Sequence, residues 1–233
     1  DTENFNVKIA GEVRNLDLGS HISRKDLNRM DRFTAFALIS ADQAIAQAGL
    51  INGSFDKERV GVIIGSGIGG ISTLTKQHLR LLDSPRKVSP FFIPALISDI
   101  ASGHVSIKYG FKGPNYSVVS ACSTGSHAIG DAFRLIQYGD ADIVIAGGTE
   151  ASVVPLSVAG FTNMKALSRN PNPHKACRPF DINRDGFVLG EGAGVIVLEN
   201  YQSALKRNIK ILGEITGYGA TADAYHLTAP APN

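Results

Sequence analysis

Cys122 stands where the chain could present a reactive side chain. It lies between a predicted strand at residues 116–121 and a predicted helix at residues 123–138, and its neighbours on both sides are small. Small neighbours permit the sharp turn that leaves one side chain exposed above a sheet, as in a nucleophile elbow. The positive end of the following helix favours the thiolate, and backbone N–H groups at the turn could bind an oxyanion during acyl transfer. The pattern predicts a cysteine nucleophile.

The alternative for Cys122 is a small apolar side chain buried in the core, which is the common state of an intracellular cysteine. The strand, the small residues and the helix around it favour the nucleophile. Cys177 has no such setting, because it lies in a polar loop at residues 174–179, and we interpret it as incidental. Two isolated cysteines with scattered histidines lack the spacing of a zinc site, so no metal is expected.

Three glycines, Gly65, Gly67 and Gly70, follow a predicted strand with the G-x-G-x-x-G spacing of dinucleotide-binding proteins. That function also requires a second strand that ends in an acidic residue about 20 positions further on. Here the helix predicted at residues 71–82 is followed by a loop with three prolines at residues 84–94. NAD or FAD binding is therefore disfavoured, no cofactor is expected, and the glycines are interpreted as sites of close backbone packing beside a cleft.

No histidine in the sequence is a convincing general base for Cys122. His127 lies five residues after it inside the predicted helix, whereas residues on one helical face are three or four apart. His226 lies in a loop and could reach a cleft. The other histidines are interpreted as surface or structural residues: His21, His78, His104 and His174.

The elements that must position these residues alternate along the chain, as in an α/β protein with a largely parallel sheet covered on both faces. Strands are predicted at residues 59–64, 116–121, 142–146, 187–198 and 211–218. Helices are predicted at residues 30–48, 71–82, 96–109, 123–138 and 202–207.

Composition excludes several classes of protein. The chain has 233 residues, of which 43% are hydrophobic and 19% charged, and its net charge of +2 argues against disorder and against a dedicated nucleic-acid binder. No apolar run approaches the roughly 18 residues that span a membrane. The polar start is unlike a secretory signal. Two cysteines indicate free thiols in a reducing compartment, and we expect the cytoplasm or the interior of an organelle.

Several longer segments resemble the β-ketoacyl-acyl-carrier-protein synthases, and the elongating type II enzymes in particular. The active-site segment of that family is similar to residues 113–129 (GPNYSVVSACSTGSHAI), which contain Cys122. Further similar segments cover almost the whole chain: residues 84–94 (SPRKVSPFFIP), 138–142 (YGDAD), 146–150 (AGGTE), 178–181 (RPFD), 184–194 (RDGFVLGEGAG) and 223–226 (DAYH).

The resemblance implies a thiolase-like α/β fold, in which two similar halves stack as layers α-β-α-β-α and the protein works as a homodimer. Residues 1–233 would supply the first half and part of the linker to the second. It implies fatty-acid elongation: an acyl group passes from acyl carrier protein to Cys122, malonyl-carrier protein loses CO2, and its carbanion attacks the thioester. The family's two catalytic histidines lie in the second half, so we expect this chain alone not to condense.

By position, the resemblance assigns roles to further residues. The acyl channel would be lined by Ile68, Ala121 and Phe161, together with Phe92, which the partner subunit of the dimer would contribute. Thr228 would lie near the pantetheine tunnel. Basic residues would meet the acidic carrier protein: Lys25, Arg29, Arg86, Lys87 and Lys165. Neither nucleic acid nor a membrane is an expected partner.

Four alternatives remain at this point. A polyketide-type ketosynthase shares the cysteine turn and differs mainly in channel shape. A CoA-dependent thiolase fits less well, because the basic residues and the RPFD segment resemble the elongating synthases. A non-catalytic partner subunit that shapes an acyl tunnel is disfavoured by the presence of Cys122. A nucleotide-binding role for the glycine loop is the last.

Overall fold

A four-stranded mixed sheet forms the centre of the molecule. The structure is a computed structural model and describes residues 3–232. The strands are β1 (Val60–Gly65), β2 (Asn115–Tyr116), β3 (Ile143–Glu150) and β4 (Gly192–Glu199), in the spatial order β2-β1-β3-β4. Strand β1 pairs in parallel with both β2 and β3, with Ile63 opposite Tyr116 and Ala146. Strand β4 runs antiparallel to β3, so the sheet is parallel over three of its strands.

Helices cover both faces of the sheet. They are α1 (Arg24–Leu27), α2 (Arg32–Gln47), α3 (Ile71–Asp83), α4 (Phe92–Leu96), α5 (Ile100–Tyr109), α6 (Thr124–Gln137), α7 (Pro155–Asn163), α8 (Pro173–Ala176) and α9 (Tyr201–Lys206). Helices α2 and α5 pack on one face and α6 on the other. None of the helices in the described part of the chain has the length and apolar character that a membrane span requires.

Alternate residues of β1 explain why this strand is apolar throughout. Val62 and Ile64 join the core formed with α2 and α5, whereas Ile63 joins the core formed with α6. All three side chains are fully buried. A strand covered on both faces has no solvent side, which produces the continuous apolar run found in the sequence. The resulting α-β-α sandwich agrees with the predicted α/β class.

The predicted loop at 84–94 and the predicted helix at 96–109 were partly wrong. The first contains a short 3-10 helix, Pro85–Lys87, and the start of α4. Proline is tolerated in the first turn of a helix, where its missing N–H has no acceptor, so three prolines did not exclude helical turns. The second is interrupted because Ile97 has extended backbone, and the Leu96 carbonyl accepts a hydrogen bond from Gly70 N.

Three strand predictions differ from the structure in length or existence. The strand predicted at 116–121 pairs only at Asn115 and Tyr116, after which the chain turns towards α6. The strand predicted at 187–198 begins at Gly192. The strand predicted at 211–218 is absent, because this segment has no strand partner and packs beside α6 instead, where Tyr218 covers Gly130. Between this segment, α6 and β4 lies a groove of about 780 Å³.

Candidate active site

Cys122 lies in a 3-10 turn, Ala121–Ser123, between β2 and the first turn of α6. Its side chain is exposed. Within residues 3–232, the Cys122 backbone N–H has no hydrogen-bond acceptor. The prediction of an accessible sulfur at a junction between a strand and a helix is confirmed, and the alternative of a buried structural cysteine is wrong. A free amide beside an exposed thiol is the arrangement that an oxyanion of acyl transfer requires.

The turn that carries Cys122 contains a strained residue. Ala121 has φ of +51°, in the left-handed region, which costs a residue with a Cβ about 1–2 kcal/mol. Thr124 braces the turn: its hydroxyl accepts from Ser120 N at 2.9 Å and donates to Ala121 O at 2.8 Å. Thr124 is only 4% exposed, so the brace works in the interior, where an unmade hydrogen bond is costly.

Two glycines let the first turn of α6 lie directly on the sheet. A Cβ on Gly65, at the end of β1, would lie 2.2 Å from Thr124 Cγ2. A Cβ on Gly148, in β3, would lie 3.1 Å from the Gly125 Cα. Glycine at both positions removes the side chain that would lift the helix. The carboxyl ends of two parallel strands therefore set the height of the Cys122 turn.

The glycine loop at residues 65–70 lies beside the same turn. A Cβ on Gly67 would lie 3.4 Å from Ala121 O, so the loop passes close to the Cys122 turn. Ile68, on this loop, is 40% exposed. After α3 the chain continues into a 3-10 turn and α4, with no second strand at the place where a dinucleotide site needs one. The structure thus supports close backbone packing as the reason for these glycines.

Glu150, whose importance the sequence did not reveal, holds the glycine loop in place. One carboxylate oxygen accepts from Ile68 N at 3.1 Å. The other accepts from the hydroxyls of Ser152 at 2.6 Å and Ser66 at 3.3 Å. In the sequence it is the last residue of the AGGTE segment, two residues after Gly148, and nothing there indicates which groups it binds.

The predicted channel residues are brought together only in part. Ala121 directly precedes Cys122, and Ile68 lies on the glycine loop that passes close to the same turn. Phe92 is half-buried at the start of α4, whose last residue is joined to the glycine loop by the bond from Gly70 N to the Leu96 carbonyl. Phe161, in α7, contacts Phe187 with ring centroids 5.4 Å apart. It packs on a separate apolar cluster of Val7, Leu167 and Leu189.

The predicted basic residues are all exposed, and four of them form two neighbouring groups. Lys25 and Arg29 lie in and just after α1, whereas Arg86 and Lys87 lie in the 3-10 turn before α4. The Arg29 guanidinium lies 4.7 Å above the Phe91 ring, which brings α1 against the start of α4. Lys87 pairs with Asp83.

Lys165 and Thr228, two further predicted site residues, lie in other parts of the chain. Lys165 follows α7 and has φ of +57°. Thr228 is exposed, and its backbone N–H donates to His226 Nδ1 at 3.1 Å.

The two histidines considered as bases, His127 and His226, lie in the helix and the loop that the sequence predicts. His127 is within α6, and its Nδ1 lies 2.6 Å from Ser120 Oγ. His226 is exposed and accepts backbone N–H bonds from Thr228 and Ala229. His104, in α5, is half-buried, and burial lowers the pKa of its imidazole below the ordinary 6.5, against an opposing effect of Asp26. Among the described residues, no cluster of His, Cys, Asp and Glu is suited to hold a metal ion.

Comparison with known proteins gives consistent results. Residues 7–204 match the family described as "Beta-ketoacyl synthase, N-terminal domain". The chain is 52% identical, over its whole length, to 58% of a 3-oxoacyl-[acyl-carrier-protein] synthase 2 from Staphylococcus aureus. It is 50% identical to 56% of the protein of that name from Synechocystis sp.. The chain thus spans a little over half the length of these curated relatives.

A solved structure agrees with the sequence matches. A β-ketoacyl synthase from Burkholderia phymatum superposes with a TM-score of 0.87 and 32% identity, over 96% of this chain and 55% of that one. The architecture is therefore that of the first part of a ketosynthase, in agreement with the predicted thiolase-like class. On the extent of the family match and the agreement in fold, this chain belongs to the β-ketoacyl synthase family.

Proposed function

We propose that this chain carries the acyl-accepting site of a 3-oxoacyl-acyl-carrier-protein synthase of fatty-acid elongation, with Cys122 as the nucleophile. The observation that carries the proposal is the exposed Cys122 in a braced turn, with its own N–H free and α6 behind it. The relatives at 50–52% identity bear this enzyme name. That name favours fatty-acid elongation over the polyketide, thiolase and non-catalytic alternatives.

In the first half-reaction, the Cys122 thiolate attacks the carbonyl carbon of an acyl thioester on acyl carrier protein. A new S–C bond forms, and the carbonyl oxygen becomes an oxyanion that the free Cys122 N–H can stabilise. Collapse of the tetrahedral intermediate breaks the original S–C bond, and the carrier leaves as a thiol after taking up a proton. The acyl chain then lies beside Ile68 and Ala121, with Phe161 and the Phe92 of the neighbouring subunit as further lining residues.

In the second half-reaction, malonyl-carrier protein loses CO2, and the resulting carbanion attacks the Cys122 thioester, which releases the cysteine. The developing enolate needs its own stabilising groups. Within these residues, the Nδ1 of His127 is bonded to Ser120, and the Nδ1 of His226 accepts from Thr228 and Ala229. We propose that the two histidines implied by the resemblance stabilise the enolate, from a part of the protein outside these 233 residues.

The decisive experiment compares the two exposed cysteines in the full-length protein. Incubation with acyl-loaded carrier protein, followed by mass spectrometry, should show a mass increase of one acyl group on the peptide with Cys122. Cys122→Ala should abolish the increase, and Cys177→Ala should leave it unchanged. Acylation of the Cys122→Ala variant, or acylation at Cys177, would overturn the proposal.

Recognition of the carrier protein is a separate part of the proposal. Lys25, Arg29, Arg86, Lys87 and Lys165 supply positive charge for an acidic partner. Reversing Arg86 to Glu should raise KM for acyl-carrier protein while leaving reaction with a small acyl thioester unchanged. Lys112→Glu is the matched control, because the exposed Lys112 lies at the amino-terminal ends of the strands, where its backbone N–H donates to the Lys57 carbonyl and its side chain pairs with Glu58. Equal effects of both variants would contradict the assignment.

Assembly and location complete the proposal. We propose a cytoplasmic homodimer in which Phe92 reaches the acyl channel of the neighbouring subunit. Phe92→Ala should change the preferred acyl length without loss of Cys122 alkylation. Sedimentation of the full-length protein as a monomer at working concentration would refute the dimer.

A further inference from the structure

The side chain of His127 is tied to the residue that enters the Cys122 turn. Its Nδ1 lies 2.6 Å from Ser120 Oγ, and both residues are half-buried. Ser120 comes directly before the strained Ala121 and two residues before Cys122. The bond therefore links a residue of α6, after Cys122, to the residue at which the turn before Cys122 begins.

Ser120 is also held by its backbone. Its N–H donates to Thr124 Oγ1 at 2.9 Å, and its carbonyl accepts from Ser123 N at 3.1 Å. The backbone bonds fix where the chain passes, whereas the bond to His127 fixes the side chain. With both in place, the peptide that leads into Ala121 has little freedom to relax out of the left-handed conformation.

The His127 ring is itself held by packing. Tyr218 meets it edge to face, with ring centroids 6.4 Å apart and an interplanar angle of 80°. Tyr218 lies over Gly130, where a Cβ would be 2.2 Å from the phenol ring, and the Arg134 guanidinium lies 5.1 Å from the ring centroid. This packing fixes the orientation of the imidazole, so that its Nδ1 is directed at Ser120.

We propose that His127 is a positioning residue for the nucleophile: through Ser120 it holds the Cys122 turn in the conformation that presents the sulfur. This inference rests on the proposed role of Cys122. His127 does not touch the sulfur, and it acts without taking a proton from it. What it supplies is a hydrogen-bonding atom at the Nδ1 position, whichever of the two groups is the donor.

The need for a hydrogen-bonding atom at the Nδ1 position can be tested with four variants. The amide of asparagine places a hydrogen-bonding atom at the same distance along the side chain as Nδ1, so His127→Asn should preserve the bond. His127→Leu fills similar space without a polar atom. Ser120→Ala removes the other partner. If the bond is the cause, the double variant Ser120→Ala/His127→Leu should be no worse than either single variant.

The measurement is the second-order rate constant for alkylation of Cys122 by iodoacetamide in the full-length protein, followed on the peptide that contains Cys122. Acyl transfer from acyl-carrier protein is measured in parallel. We expect His127→Leu and Ser120→Ala each to slow both reactions by about threefold to tenfold, the range of one neutral hydrogen bond. His127→Asn should recover most of the lost rate. The exposed His78→Leu is the control and should change neither reaction.

Several results would overturn the inference. These are unchanged rates in Ser120→Ala, an asparagine variant as slow as the leucine variant, or a double variant whose loss is the product of the single losses. If His127→Leu does not fold, the Ser120→Ala and His127→Asn variants decide. Alkylation needs no carrier protein, so a wild-type protein that is alkylated but never acylated refutes the proposed function while the alkylation series still judges the positioning role.

Discussion

Replacing Thr124 by valine tests whether the Cys122 turn is held by the brace beneath it. Valine keeps the methyl group that contacts Gly65 and puts a second methyl in place of the hydroxyl. The change removes the bond from Ser120 N at 2.9 Å and the bond to Ala121 O at 2.8 Å. Since Thr124 is 4% exposed, water cannot readily replace either partner.

The expected loss follows from these two bonds. Each neutral hydrogen bond contributes about 0.5–1.5 kcal/mol net, so the free energy of unfolding should fall by about 1–3 kcal/mol. With a urea m-value of about 2 kcal/mol/M, the unfolding midpoint should fall by about 0.5–1.5 M. Without its brace, Ala121 can also relax from φ of +51°. The rate of Cys122 alkylation should therefore fall as well.

The matched control is Thr75→Val in α3. The Thr75 hydroxyl donates to the Ile71 carbonyl four residues earlier, a local bond of little net value inside a helix. We expect its unfolding midpoint and the alkylation of Cys122 to stay close to wild type. If Thr124→Val and Thr75→Val lower the unfolding free energy equally, and alkylation is unchanged in both, the turn is not held as described.

Three further predictions can be checked by urea unfolding. Gly65→Ala should lower the unfolding free energy by about 1–3 kcal/mol, because the new Cβ would lie 2.2 Å from a methyl carbon of α6. The control Gly160→Ala, in α7 with open space around it, should raise the unfolding free energy by about 0.5–1 kcal/mol. Glu150→Gln should lower it by about 1–2 kcal/mol, since one amide oxygen cannot replace both carboxylate oxygens, and should loosen the loop that carries Ile68, seen as faster hydrogen exchange there. Burial lowers the pKa of His104 in the folded state, so the unfolded chain binds more protons and stability should fall as the pH drops below 6.5. His104→Gln should make the loss of stability between pH 7.5 and 5.5 smaller, and an unchanged pH dependence would contradict this prediction.

Helices and strands were predicted best where the hydrophobic periodicity of the sequence matches the burial of the side chains. Helices α2, α3 and α6 and strands β1 and β3 were predicted within a few residues, because an apolar stripe or run records which faces are covered. The segment at 211–218 looked like a strand by composition, but strand formation depends on a partner that its own residues do not encode. It packs on α6 through Tyr218 instead.

The site was predictable in position and not in its interactions. Small residues around Cys122 and the strand before it were sufficient to place a turn with an exposed sulfur. The bond between Ser120 and His127 joins positions seven apart on either side of that turn. Helical spacing cannot predict such a pair, because the geometry of the turn determines the distance. Glu150 was missed for a similar reason, since two of its partners, Ser66 and Ile68, lie in the glycine loop more than 80 residues earlier in the chain.

Several elements within the described residues hold the Cys122 turn. Thr124 of α6 braces the turn by hydrogen bonds, Gly65 of β1 and Gly148 of β3 let α6 approach the sheet, and Glu150 holds the neighbouring glycine loop. A left-handed alanine persists when such independent constraints agree. Under the proposed function, acyl acceptance and condensation therefore have separable structural requirements. A variant in this turn should slow acylation and alkylation together, whereas loss of groups that stabilise the enolate should leave a stable acyl-enzyme behind.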